Sequence, residues 1–293
     1  MDRPAFSRVA RTLRNNQTLL CVEKRRPDGA GAGFLVWFRR EGQECGLFSI
    51  RKWAGPSVVR KRRRPDACTF RWPDCSIASA MALLIRKTFS VPPLGCNCSI
   101  IGDPVTKQAI VVDPGGAAQQ ILHEVRHLGL TVSHILHTHA HFDHFLACGE
   151  MKKATGAMIC LHQNDLELWK DLELQCRMFG VSYVHQPMPE YWLKDEEKVQ
   201  VGDVYLVALH TPGHTPGSMS FHIPQEKLVL AGDTLFRGSI GRTDLWGGDF
   251  DAIEESIRER LYTLEDTTTV VTGHGLETEI GWEKESNQFV RLS

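Results

Sequence analysis

Between Ile135 and Phe145 the chain reads ILHTHAHFDHF, which puts four histidines and one aspartate into the positions from His137 to His144. Imidazole is the commonest protein ligand for a divalent transition metal, and a carboxylate supplies a hard oxygen beside it. Two histidines two apart, followed by an adjacent Asp and His, offer side chains in two directions from one short loop, an arrangement for two metals. Coordination tolerates little positional error, so such a loop has to spring from a rigid sheet edge.

Four predicted strands meet that demand. VSHIL leads to His137 through His144, VYLVAL to HTPGHTPGS with His210 and His214, KLVLAG to Asp233, and TTVV to TGHG with His274. Gly213, Gly232 and the pair Gly273 and Gly275 flank the later positions, where a missing side chain lets the backbone turn tightly. QAIVVDPGG, AMICLH and SMSFHI read as further strands. The helices are AAQQILHEVRHLG, with Ile121, Leu122, Val125 and Leu128 on one face and Gly129 as stop, then FLACGEMKKAT, NDLELWKDLELQ and DAIEESIRERLYTL. Strands and helices are both plentiful, so the class is α/β or α+β with a mixed sheet arrangement.

With 42% hydrophobic and 24% charged residues the chain reads as a soluble globular protein, but its charge is divided. Residues 1–94 hold 19 Lys+Arg against 7 Asp+Glu, and the remainder 15 against 28. The first eighty residues show no sustained helical or strand period, and RRPDGAGAG and RKWAGPSVVRKRRRPD are basic and broken by Gly and Pro. We therefore expect a basic, disordered or targeting extension over 1–80 and a folded domain over 81–293, with Met81 as a possible translation start. The cluster Arg60–Arg64 has the composition of a nucleic-acid or nuclear-import patch, and the Arg-rich start that of an organelle transit peptide. Nine cysteines without C-x-x-C pairs argue for a reducing compartment. The longest apolar run, Ser76 to Ile85, is about half of the ~20 residues a membrane span needs, so no membrane partner is expected.

The run Thr138-His-Ala-His-Phe-Asp-His144 resembles the T-H-x-H-x-D-H signature of the metallo-β-lactamase superfamily, and the G-H at His214, AGDTLF around Asp233 and GHG around His274 follow in the same order. The resemblance spans roughly residues 89 to 290. It implies an αββα sandwich of two mixed sheets with helices on the outer faces. It also implies that His139, His141 and His214 bind one metal, that Asp143, His144 and His274 bind a second, and that Asp233 bridges them. Asp143 and Asp233 are then the candidate catalytic carboxylates. The implied cofactors are two divalent ions, Zn²⁺ or alternatively Fe²⁺, and the implied chemistry is hydrolysis by metal-bound hydroxide. His137 and His210, on the strand side of their motifs, are expected to be structural or to hold neighbouring ligands in place rather than to bind metal.

Within the superfamily the best match is to the glyoxalase II group, thioester hydrolases acting on S-lactoylglutathione. AGDTLFRGSIGRTD resembles the segment in which a basic residue holds a glutathione carboxylate, and Arg242 takes that place here. The other reading of Arg242 is an ion pair with Asp244 or Asp249. Only 19 residues follow His274, so the chain resembles the short, single-domain glyoxalase II-like proteins. The alternatives are a persulfide dioxygenase with mononuclear iron, whose last motif is usually AHD rather than GHG, or a hydrolase of another thioester or ester. The expected partner is a small-molecule thioester, glutathione-derived on the first reading. RNA-processing members carry a large inserted domain for which this chain has no room, so nucleic acid is not an expected partner. The expected location is the cytoplasm, or a mitochondrial or plastid matrix if the N-terminus is a transit peptide.

Overall fold

The computed structural model describes residues 84–292 throughout and, before them, five strands by backbone. The chain divides into two compact units, Met1–Pro73 and Asp74–Ser293. In the first, β1 (Arg8–Leu13), β2 (Gln17–Arg25), β3 (Ala32–Arg40), β4 (Gln43–Glu44) and β5 (Phe48–Ser49) form an antiparallel sheet. These strands fall where the sequence shows no sustained period: the apolar runs TLLCV and FLVWF are short, and Gly, Pro and Arg surround them. The expected boundary at residue 80, Arg60–Arg64 and Met81 lie outside the described residues.

The second unit begins with β6 (Ile85–Val91), β7 (Cys96–Gly102) and β8 (Gln108–Val112), then α1 (Ala118–His127), β9 (Thr131–Leu136), α2 (Phe142–Phe145), α3 (Cys148–Thr155), β10 (Met158–His162), α4 (Leu166–Lys170), α5 (Leu172–Met178) and β11 (Tyr191–Leu193). Its strands form one mixed sheet in the order β11-β10-β9-β8-β7-β6. The chain then builds a second mixed sheet from β12 (Glu197–Val201), β13 (Val204–His210), β14 (Met219–Ile223) and β15 (Leu228–Gly232). A small β16–β17 hairpin (Leu235–Phe236, Ser239–Ile240) and α6 (Phe250–Ser256) follow, before β18 (Thr269–Thr272), β19 (Thr278–Glu279) and α7 (Ile280–Ser286).

Side-chain alternation assigns the layers. On β8, Ala109 and Val111 pack with α1 and α3, while Ile110 and Val112 join Phe221, Leu230 and Val271 between the sheets. On β15, Leu228 and Leu230 face that middle layer and Val229 and Ala231 face α6. Strands buried on both faces read as continuous apolar runs, which is why QAIVV and KLVLAG are legible. The result is the expected αββα sandwich. Among the described residues no helix is long and apolar enough to cross a membrane.

Strand direction gathers the candidate site. β8 and β9 run parallel with Val112 beside Leu136, so Asp113 and His137 leave the first sheet at one level. β15 and β18 run parallel with Gly232 beside Thr272, so Asp233 and the Gly273-His274 pair leave the second sheet together. At that edge the sheets are stitched: Met219 N–H donates to Thr138 O (2.8 Å) and Asn97 N–H to Gly273 O (2.7 Å).

Candidate metal centre

The seven side chains expected as ligands come together. Ring nitrogens of His139, His141 and His214 lie within 4.8 Å of one another, and so do the donor atoms of Asp143, His144 and His274. The Asp233 carboxylate lies between these sets, with Oδ1 3.5 Å from His144 Nε2 and Oδ2 3.6 Å from His214 Nε2 and 3.7 Å from His274 Nε2. Tight turning at glycine makes this possible. Gly213 has φ +129°, and a Cβ there would stand 2.2 Å from the backbone nitrogen of Ile253; a Cβ on Gly273 would stand 1.9 Å from Asp233 Oδ1.

The cluster fits divalent ions. His139 Nε2 and Asp233 Oδ1 are buried with no hydrogen-bond partner, a costly state for a polar atom unless a cation meets it. Nitrogens face each other at 3.0 Å (His141 Nδ1 to His214 Nε2) and 3.2 Å (His144 Nε2 to His274 Nε2). Two ligands bound tetrahedrally at about 2.0 Å to one ion would stand about 3.3 Å apart. Protonation is divided. Burial opposes the charge of His144 and His274, but the carboxylates around them outweigh it and raise both above the usual histidine range, so a cation would displace protons there. His139, His141 and Asp143 already hold metal-binding forms. Burial and neighbouring imidazoles hold His139 well below the usual histidine range and His141 down to about 3. Burial opposes the charge of Asp143, but His144, His274 and His141 outweigh it and bring the carboxyl to about 2. Neutral imidazole and ionised carboxylate are the forms that bind metal.

Two buried carboxylates that the sequence reading did not single out hold the donors in position. Asp113 Oδ1 accepts from Thr138 N–H (2.8 Å), and Oδ2 accepts from Thr138 Oγ1 (2.6 Å) and from His144 Nδ1 (3.0 Å). Thr138 Oγ1, having given its proton to Asp113, accepts from His139 Nδ1 (3.0 Å). One carboxylate thus sets the protons of two imidazoles and turns both Nε2 lone pairs toward the cluster. Asp165 Oδ2 accepts from Ala140 N–H and Thr215 Oγ1 (2.9 Å each), and Oδ1 from Gly217 N–H (2.6 Å), which ties the loop after β9 to the loop after β13. His214 Nδ1 donates to Arg242 O (2.8 Å), which likewise frees its Nε2.

His137 and His210 stay out of the cluster. His137 is buried and stacked on Phe145, donates from Nδ1 to His144 O (3.1 Å), and is held down to about 4 by burial. His210 donates from Nε2 to Pro216 O (3.0 Å) and stacks on His162. The Arg242 guanidinium forks onto Asp244, Nε to Oδ1 at 2.9 Å and Nη2 to Oδ2 at 2.8 Å, both side chains being exposed. Asp249 is engaged elsewhere, capping α6 by accepting from Ala252 N–H.

The cluster opens into a cavity of about 500 Å³ whose lining includes His141, Asp143, His214, Asp233 and His274. Such a volume suits a small-molecule substrate.

The sandwich and its His/Asp cluster define a class, and the sequence comparison agrees: the Metallo-beta-lactamase superfamily profile matches residues 91–274. The chain belongs to the metallo-β-lactamase superfamily of metallo-hydrolases, and its cluster is a divalent-metal centre. It is 37% identical over 196 residues to hydroxyacylglutathione hydrolase GloC of Haemophilus influenzae, covering 66% of this chain and 92% of that protein. Among solved structures it is similar to the BLEG-1 B3 metallo-beta-lactamase (33% identity, TM-score 0.66, 70% of this chain and 99% of the other). It is also similar to TTHA1623 in a di-iron-bound form (34% identity, TM-score 0.64, 70% and 100%).

Proposed function

We propose that the chain is a metal-dependent thioester hydrolase of the glyoxalase II kind, acting on glutathione-derived thioesters such as S-lactoylglutathione. The observation that carries this reading is a seven-donor cluster opening into a cavity with Arg242 on its lining, and the similarity to GloC supports it. His139, His141 and His214 would hold one Zn²⁺ or Fe²⁺, Asp143, His144 and His274 the other, with Asp233 between them. The ions, when bound, supply a water of lowered pKa and polarise the substrate carbonyl. Asp143 and Asp233, both on the cavity lining, would orient the attacking water, whose proton passes to solvent once the ions have lowered its pKa. As oxygen adds to the thioester carbon, the C–S bond breaks and sulfur leaves as thiolate, which needs no strong acid. The test is thiol release from S-lactoylglutathione by metal-loaded protein, run beside oxygen uptake with glutathione persulfide. Oxygen consumption without thioester cleavage would overturn the reading.

Arg242 is the proposed anchor for a substrate carboxylate, which must exchange with Asp244. An exposed pair contributes little, so Arg242→Ala should raise KM for a glutathione thioester by at most about fivefold at constant kcat and metal content. Asp244→Asn, which frees the guanidinium, should lower KM. Steady-state kinetics on both variants checks the pair.

We also propose residues 81–293 as the hydrolase domain. A chain beginning at Met81 should be soluble and retain full kcat/KM; inactive or insoluble protein would place part of the domain upstream.

A further inference from the structure

Apart from the metal-facing side chains, the cavity is lined by apolar residues, among them Leu94, Phe179, Phe236 and Leu245, with Gln175 and Arg242 the exceptions. Neither exception is free. Gln175 Oε1 accepts from Phe142 N–H (3.0 Å), and its Nε2 donates to Leu168 O (2.8 Å) and Ala140 O (3.3 Å). Arg242 is matched by Asp244. Met178 is 76% exposed and Trp246 58%, large apolar side chains held in water beside the catalytic opening. Apolar exposure around one opening marks a surface that a ligand covers. Glutathione brings two carboxylates, an ammonium and two amides. A site built around that tripeptide would keep unpaired cations and hydrogen-bonding groups on its walls, and this lining offers one cation that already has a partner.

We infer that this site discriminates among thioesters chiefly by an apolar acyl chain lying against the apolar lining that includes Met178 and Trp246, with the Arg242 contact to the thiol portion contributing less. The inference rests on the thioester-hydrolase reading for the reaction, but the wall can be tested without turnover. Full burial of a methylene is worth about fourfold in affinity. On a wall open to water on one side roughly twofold is expected, or about thirtyfold over five methylenes.

The test uses the full metal-loaded chain and two thioethers that cannot be hydrolysed, S-methylglutathione and S-hexylglutathione, with affinity measured by calorimetry. S-hexylglutathione should bind about thirtyfold more tightly, and Met178→Ser combined with Trp246→Ser should cut that ratio to about fivefold at unchanged metal content. Turnover is then compared for hexanoyl and lactoyl thioesters of glutathione and of N-acetylcysteamine. The acyl change should move kcat/KM at least tenfold, and the thiol change less than fivefold. Equal binding of the two thioethers, or a thiol effect larger than the acyl effect, overturns the inference. Chain-dependent binding with no cleavage of any thioester leaves the apolar wall standing and removes the proposed reaction.

Discussion

An Asp233→Ala protein should hold less than one ion per chain and lose hydrolysis to background. Among the described residues Asp233 is the one carboxylate within 3.7 Å of histidines from both donor sets, with Oδ1 toward His144 and Oδ2 toward His214 and His274. Without it, two cations close together would lose the negative charge between them, and His144 and His274 would lose a partner. A residue that merely supports a ligand costs roughly ten- to hundredfold in metal affinity or activity when removed, so a bridging ligand should cost at least the upper figure. His137→Ala is the control: its ring meets Phe145, Cys148 and His144 O and no cluster donor, so metal content should be retained. Near-stoichiometric metal and normal turnover in Asp233→Ala would refute the bridge.

Asp113→Ala should fail on two counts. The buried Thr138 N–H and Oγ1–H lose their acceptor, and His144 Nδ1 loses its anchor. Unsatisfied buried groups cost about 1 to 3 kcal/mol each, so about 3 kcal/mol of stability is expected to go. For a domain of this size that lowers Tm by about 6 to 12 °C. Position 113 also has φ +51°, a conformation that Asp tolerates better than Ala. Asp113→Asn separates the effects: it keeps the backbone tolerance and one acceptor for Thr138 N–H, but cannot accept from both Thr138 Oγ1 and His144. It should retain most of the Tm while losing roughly tenfold or more in metal affinity. Calorimetry and metal titration on the two variants measure both quantities, and equal metal affinity in Asp113→Asn and wild type would remove Asp113 from the positioning role.

The contrast between Asp233 and Asp113 marks where sequence reasoning stopped. Asp233 was legible because it follows a clear strand and precedes a turn, as do the candidate histidines. Asp113 also ends a strand, in VVDPGG, and that placement was the available signal. Its partner Thr138 is 25 positions away, as Ala140 is from Asp165, and no local pattern ties such pairs. β8, β9, β13 and β15 were legible from apolar runs bounded by turn residues. β7, CNCSIIG, was not: Cys96 and Cys98 are wholly buried, but their alternation with Asn and Ser has no clear polar contrast. The helix expected over NDLELWKDLELQ is divided at Asp171 into α4 and α5. For Arg242 the spacing allowed Asp244 or Asp249, and the cap of α6 decided between them.

In the second unit every strand of the first sheet precedes every strand of the second, and the chain crosses between them once, through residues 194–196. His139, His141, Asp143 and His144 belong to the leading half, and His214, Asp233 and His274 to the trailing half. Neither half-chain alone owns the complete donor set for either proposed ion. Ions held by this cluster would therefore be a joint between two half-molecules, and their removal would act on the grip of one sheet upon the other as well as on a loop.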